Sequence, residues 1–113
     1  MKFMLFVCVD REAYDRYLAE APRDVDEPMP WADDLDAAGI RLDGDELRPY
    51  SAATTVRVRG GEVLLADGPF AETREVIVGY DIIECADLDQ AIKIAADHPV
   101  AQGGVIEIRP FRS

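Results

Sequence analysis

The sequence predicts a mixed α+β fold in which helices cover one face of an antiparallel sheet. Three observations carry this. Strand-like apolar runs lie at both ends and in the middle of the chain, at Phe3–Val9, Val76–Cys85 and Val105–Arg109. Stretches of helical spacing follow the first run and precede the last. The resulting order is strand, helices, strand, hairpin, strand, helix, strand, a split β-α-β pattern. One domain spanning residues 1–113 accommodates it.

Phe3–Val9 is continuously apolar, as expected of a central strand buried on both faces. Asp10 can cap the helix that follows, where Ala13, Tyr14, Tyr17, Leu18 and Ala21 recur at helical spacing until Pro22. Arg23–Pro30 reads as a loop. Trp31, Leu35 and Ala38 then share the inner side of a second helix, and Gly39 is suited to end it. Asp33, Asp34 and Asp36 do not share one face, so they read as a solvated surface rather than metal ligands. Ile40–Leu47 is a short strand interrupted by a turn pair, Asp43-Gly44. Thr54, Val56 and Val58 alternate with Thr55, Arg57 and Arg59. Gly60-Gly61 then turns the chain back through Glu62–Ala66.

The longest strand, Val76–Cys85, carries Val76, Val78, Tyr80 and Ile82 on one face and Ile77, Gly79, Asp81 and Ile83 on the other. Gly79 in its middle suggests a bulge or a close approach. Asp87 followed by Gln90 forms a capping-box pattern for the last helix, whose inner stripe is Leu88, Ala91, Ile92 and Ala95. The middle strand is apolar on both sides, so the face without helices also needs cover. A second copy packed sheet to sheet about a two-fold axis supplies it, and the expectation is a homodimer.

Net charge is −11, from 23 acidic and 12 basic residues, which disfavours binding to nucleic acid or to anionic membrane. The longest apolar run is too short to span a bilayer. Asp10-Arg11-Glu12 follows it in place of a cleavage site, so the expected location is cytoplasmic. Cys8 and Cys85 lack CxxC spacing and read as free core thiols. Phosphate-loop, nucleophile-elbow and Cys/His metal motifs are absent from the sequence, and no cofactor is expected.

One stretch has residue types beyond those a core needs: Asp67-Gly68-Pro69-Phe70-Ala71-Glu72-Thr73. Gly68-Pro69 is strong chain punctuation, and Asp67 can bond forward to backbone amides and hold the turn. The alternative is that Asp67 or Glu72 faces a ligand. His98 is the sole histidine, a candidate general acid or base by its near-neutral pKa or simply a helix-end residue. Arg57, Arg59 and Arg74 could receive a carboxylate, and Tyr80 could line a pocket.

The run Asp67–Glu75, then Gly79-Tyr80, Asp87-Leu88-Asp89-Gln90-Ala91 and Glu107-Ile108-Arg109-Pro110, resembles the DGPF branch of the YCII-related family over essentially the whole chain. The resemblance implies a ferredoxin-like fold, assembled as a dimeric α+β barrel. It also implies relatives among small enzymes of aromatic degradation, including a dehydrochlorinase. DGPF-branch members often lie beside alternative sigma factors of the extracytoplasmic type. The His–Asp pair ascribed to the family's active site is not matched, since Glu27 and Ala37 stand near those places and Asp36 is one residue away. Two functions follow. One is a non-catalytic protein that binds a small organic acid or aromatic compound, or an accessory protein tied to a sigma-factor regulon, with Asp67, Arg57 and Tyr80 as binding residues. The other is a cofactor-free lyase or isomerase using Asp67, Glu72 or His98 for proton transfer.

Overall fold

The computed structural model describes residues 1–20 and 29–112. The expected stop at Pro22, the loop from Arg23 and the position of Glu27 lie outside them. In chain order the elements are β1 (Lys2–Asp10), α1 (Arg11–Glu20), α2 (Pro30–Ala37), β2 (Arg41–Glu46), β3 (Thr54–Arg59), β4 (Glu62–Asp67), β5 (Glu75–Glu84), α3 (Leu88–Ala96) and β6 (Val105–Pro110). Short 3-10 turns occupy Tyr50–Ala52 and Pro99–Gln102.

Four strands form an antiparallel sheet in the order β2-β5-β1-β6, and β3 and β4 form a separate two-stranded sheet. This is an α+β architecture consistent with the ferredoxin-like pattern. The apolar run at the start of the chain is central because it is flanked on both edges, by β5 and β6. Phe3, Leu5, Ile83 and Ala91 form the buried heart of the core, with Trp31, Ile94, Ile106 and Ile108 packed around them. The helices thus cover the face that carries Phe3, Leu5 and Ile83. By the two-residue period of a strand, the opposite face carries Met4, Phe6, Cys8, Tyr80 and Ile82.

Local chemistry sets the helix ends. The Asp10 carboxylate accepts from the Ala13 amide at 3.1 Å and starts α1. Asp87 accepts from the Gln90 amide at 2.9 Å, and the Gln90 side chain accepts in return from the Ala86 amide at 2.8 Å. α2 ends in a Schellman arrangement: the amides of Gly39 and Ile40 donate to the carbonyls of Asp36 and Leu35 at 3.1 and 2.9 Å. Gly39 adopts φ +72°, which a side chain would strain.

Three sequence expectations need correction. In α3, Ala91 and Ala95 are buried as expected, but Leu88 and Ile92 are exposed and Ile94 packs on the core in their place. Asp43-Gly44 is not a turn; β2 runs through it as an edge strand, with a register shift between Arg41 and Asp43. In β5, Val7 pairs with Gly79 and Cys8 with Ile77, so Val78 is the extra residue of a bulge. Beyond the bulge the faces exchange. Val76 turns to the helix side and is buried, and Ile77 joins the face of Tyr80 and Ile82.

Both cysteines are free and half-buried. Cys85 exchanges backbone hydrogen bonds with Met1, at the opposite end of β1 from Cys8. The two lie about 23 Å apart along the strand, too far to bridge. Among the described residues, no helix is long and apolar enough to cross a membrane.

Candidate functional site

The described polar or charged residues buried in the chain are Asp81 and His98. Asp81 stands on β5 opposite Leu5 of β1 and Gly44 of β2. Arg41, at the start of β2, donates from Nε to Asp81 Oδ1 at 2.8 Å and from Nη1 to both oxygens of Asp36 at 3.1 Å. One guanidinium thereby ties the end of α2 to two strands. Gly44 is what makes room: a Cβ there would stand 2.6 Å from Arg41 Nη2 and would also meet Asp81 Oδ1. Burial pushes the Asp81 carboxyl above the usual range, more than the bonds and charge of Arg41 pull it down. Burial also disfavours the Arg41 guanidinium, but its bonds to Asp81 and Asp36 outweigh that and hold it charged. Both groups are thus shifted upward, which works against the charged carboxylate and for the charged guanidinium; the 2.8 Å Nε–Oδ1 contact makes them one ion pair held at a desolvation cost.

His98 precedes the 3-10 turn Pro99–Gln102, and its Nδ1 accepts the Val100 amide at 3.0 Å. The neutral ring therefore carries its proton on Nε2. Its edge meets Trp31 with ring centroids 4.6 Å apart, and Trp31 Nε1 donates to the Ile94 carbonyl at 2.9 Å. Burial lowers the His98 pKa, against a smaller upward pull from Asp81. A histidine with a lowered folded-state pKa contributes stability that is present above its ordinary value near 6.5 and is lost as pH falls through the folded-state value. His98→Asn keeps an acceptor for Val100 but cannot charge. Denaturation between pH 7.5 and 5.5 should show the wild type losing more stability than this variant, and parallel profiles would remove His98 as the cause.

The motif loop lies elsewhere. Asp67 ends β4, paired with Thr54, and is exposed. Its carboxylate makes no hydrogen bond among the described residues, so it does not hold the turn. Thr55 does so from the neighbouring strand, donating Oγ1 to the Gly68 carbonyl at 2.8 Å, while the Gly68 amide donates to Ala53 at 2.7 Å. Gly68 sits at φ +88°, as its residue type suggests.

The far end of the loop is clamped by Arg11, a residue that sequence reasoning missed. Its Nε donates to the Thr73 carbonyl at 2.9 Å, its amide to the Arg74 carbonyl at 2.7 Å, and its guanidinium lies 4.7 Å from the Tyr50 ring centroid. Glu72 is exposed, reaching Arg11 at 3.5 Å. Arg57 is exposed on β3, and Tyr80 donates to Asp43 at 3.3 Å. The candidate residues Asp67, Glu72, His98, Arg57 and Tyr80 thus do not converge on one place.

What the loop does build is a wall. Pro69, Phe70 and Ala71, the Leu47–Ala53 segment, and Phe6, Cys8 and Ile77 of the open sheet face enclose a concavity of about 660 Å³. Its charged residues are Arg48, Arg109, Glu75 and Glu107. Neither Arg48 nor Arg109 forms an ion pair among the described residues. Burial, then Glu107 and Glu75, push the Cys8 thiol pKa up, so it stays protonated near neutrality. A second concavity of about 630 Å³ lies at the start of α1. It is lined by Asp10, Glu12, Glu75, Arg11 and Arg74 and partly closed by an Arg74–Asp10 contact of 3.6 Å. With three carboxylates and no aromatic wall it suits an organic ligand less well.

A family model, the YCII-related domain, matches residues 1–113. The chain belongs to the YCII-related family. An uncharacterised protein of Rhizobium meliloti (strain 1021) is 46% identical over 67 residues, 58% of this chain and 54% of that protein. The chain therefore spans about half the length of the curated relative it matches. Within this YCII-related chain, Ala37 closes α2 beside Asp36, and Asp36 is occupied by Arg41. A carboxylate so engaged is a structural anchor. The place of Glu27 lies outside the described residues.

The family assignment leaves the charges of the concavity to be read from geometry. Alternation along β6 sets Val105, Glu107 and Arg109 against Ile106 and Ile108, which pack toward the core. That period was visible in the sequence. It became a site signal only once the loop at Pro69–Ala71 stood over the same face.

Proposed function

We propose that this protein is a homodimeric member of the DGPF branch, a dimeric α+β barrel that binds a small aromatic or acidic organic compound without transforming it. The observation that carries this reading is the concavity itself: aromatic and aliphatic walls from Phe6, Phe70 and Ile77, with Arg48 and Arg109 among its charged positions beside Glu75 and Glu107. An apolar wall takes a ring, and an arginine not engaged by a described carboxylate takes an acid group. The partner's sheet, facing the open face, would close the site.

Catalysis is the less supported reading. Of its candidate groups, Asp67 and Glu72 are exposed outside the concavity wall, and His98 is packed under the helices against Trp31. The test is a thermal-shift screen of benzoate-like and short aliphatic acids on the wild type and on Arg109→Gln and Phe70→Ala. A bound acid raises the melting temperature by mass action. The reading expects such a rise with at least one aromatic acid, diminished in both variants, and unchanged compound on recovery. No rise with any acid, or equal rises in all three proteins, would defeat it; recovery of an altered compound would favour the lyase or isomerase instead.

A further inference from the structure

The β3–β4 ladder is the part of the molecule least explained by the fold. Cross-strand pairing places Val56 opposite Leu65 and Val58 opposite Val63, so these four share one face. Their exposures are 60%, 68%, 58% and 65% in that order. Arg57, Arg59, Glu62 and Leu64 take the other face. An isolated two-stranded ladder is marginal in water, and a contiguous patch of four large aliphatic side chains needs a cover.

The surface bookkeeping points the same way. The chain exposes 8344 Å² at a mass of 12.5 kDa, where a compact monomer of that mass exposes about 6,200 Å². Its radius of gyration is 16.0 Å, against about 13 Å expected for this length. The excess of roughly 2,100 Å² per chain matches what one subunit contributes to a large obligate interface. Charge narrows the choice of partner. Thr54–Asp67 contains Arg57 and Arg59 against Glu62 and Asp67, a net charge of zero in a chain of −11. It is therefore a segment that a second acidic copy repels little.

We propose that the β3–β4 ladder is an arm that clasps a second copy of this chain, with Val56, Val58, Val63 and Leu65 buried against that copy. The two-fold axis makes the clasp reciprocal. This rests on the homodimer of the preceding reading but not on its ligand. The arm springs from Ala53 and Gly68, at the rim of the concavity, so a copy held by it lies beside that opening.

Sedimentation equilibrium of the wild type, of the double variant Val63→Lys/Leu65→Lys and of Leu64→Lys on the opposite face tests the clasp. Far-UV circular dichroism confirms that each remains folded. The expected result is a dimer for the wild type and Leu64→Lys, with the double variant dissociating at about a hundredfold higher concentration. Hydrogen exchange gives a second readout: arm amides should be protected in the wild type and lose protection on dilution. A wild-type dimer whose affinity the double variant leaves unchanged would overturn the arm alone. A wild-type monomer with unprotected arm amides would overturn the arm and the homodimer together.

Discussion

Arg41→Met should destabilise the protein by about 3–5 kcal/mol, the range for removing one partner of a buried ion pair. The methionine fills the volume of the stem but leaves Asp81 buried without the donor that now sits 2.8 Å from its Oδ1. It also frees the Asp36 carboxylate at the end of α2. Domains of this size hold only about 5–15 kcal/mol in total, so the loss should be plain in urea denaturation at pH 7. The pH dependence gives an independent check. Asp81 already has a raised pKa in the folded state, and without Arg41 burial pushes it further up. A carboxyl of this kind contributes stability that is present below its unfolded value, near 4, and is lost as pH rises through its folded value. The variant should therefore recover part of its deficit as pH is lowered from neutrality. A constant deficit across that range would mean that Asp81 does not carry the effect.

Gly44→Ala should cost about 2–3 kcal/mol, although it adds a single methyl group to an edge strand. The methyl would enter space held by the Arg41 guanidinium, 2.6 Å from Nη2 and 2.9 Å from Nε, and by Asp81 Oδ1. Either the pair separates or β2 moves away from β5. Because both substitutions act through one pair, the double variant Gly44→Ala/Arg41→Met should lose clearly less than the sum of the single losses. Strict additivity, measured by the same denaturation, would show that Gly44 matters for some other reason.

Much of the fold was legible because its signals are local. The apolar run after Lys2 marked the central strand. Asp87 and Gln90 marked the start of α3, and Gly39 the end of α2. Each depends on neighbours within about one turn of chain. The candidate site was less legible because its signals depend on register. Gly44 in the sequence looks like a turn glycine. Only its pairing opposite Asp81 shows that it is absent side-chain volume. Asp67 has the residue type that holds turns, yet a threonine thirteen residues before the Gly68 carbonyl does the holding. His98 looks like a helix-end histidine, and its burial comes from Trp31, 67 residues earlier. The bulge at Val78 exchanged the faces of Val76 and Ile77, which strict alternation could not foresee.

The central place of β1 has a consequence for how the chain is made. Its pairing partners are far along the sequence: Phe3 lies opposite Ile83 and Pro110, and Leu5 opposite Asp81 and Ile108. Neither side chain can be enclosed until residues some hundred positions later have left the ribosome. At ordinary elongation speeds that is about 5–20 seconds of synthesis. During that interval a seven-residue apolar segment waits without its sheet, and pairing over such separations is also slow once the chain is released. Within this domain the nascent chain is therefore most exposed to mispairing and to holding chaperones at β1, the strand whose partners are made last.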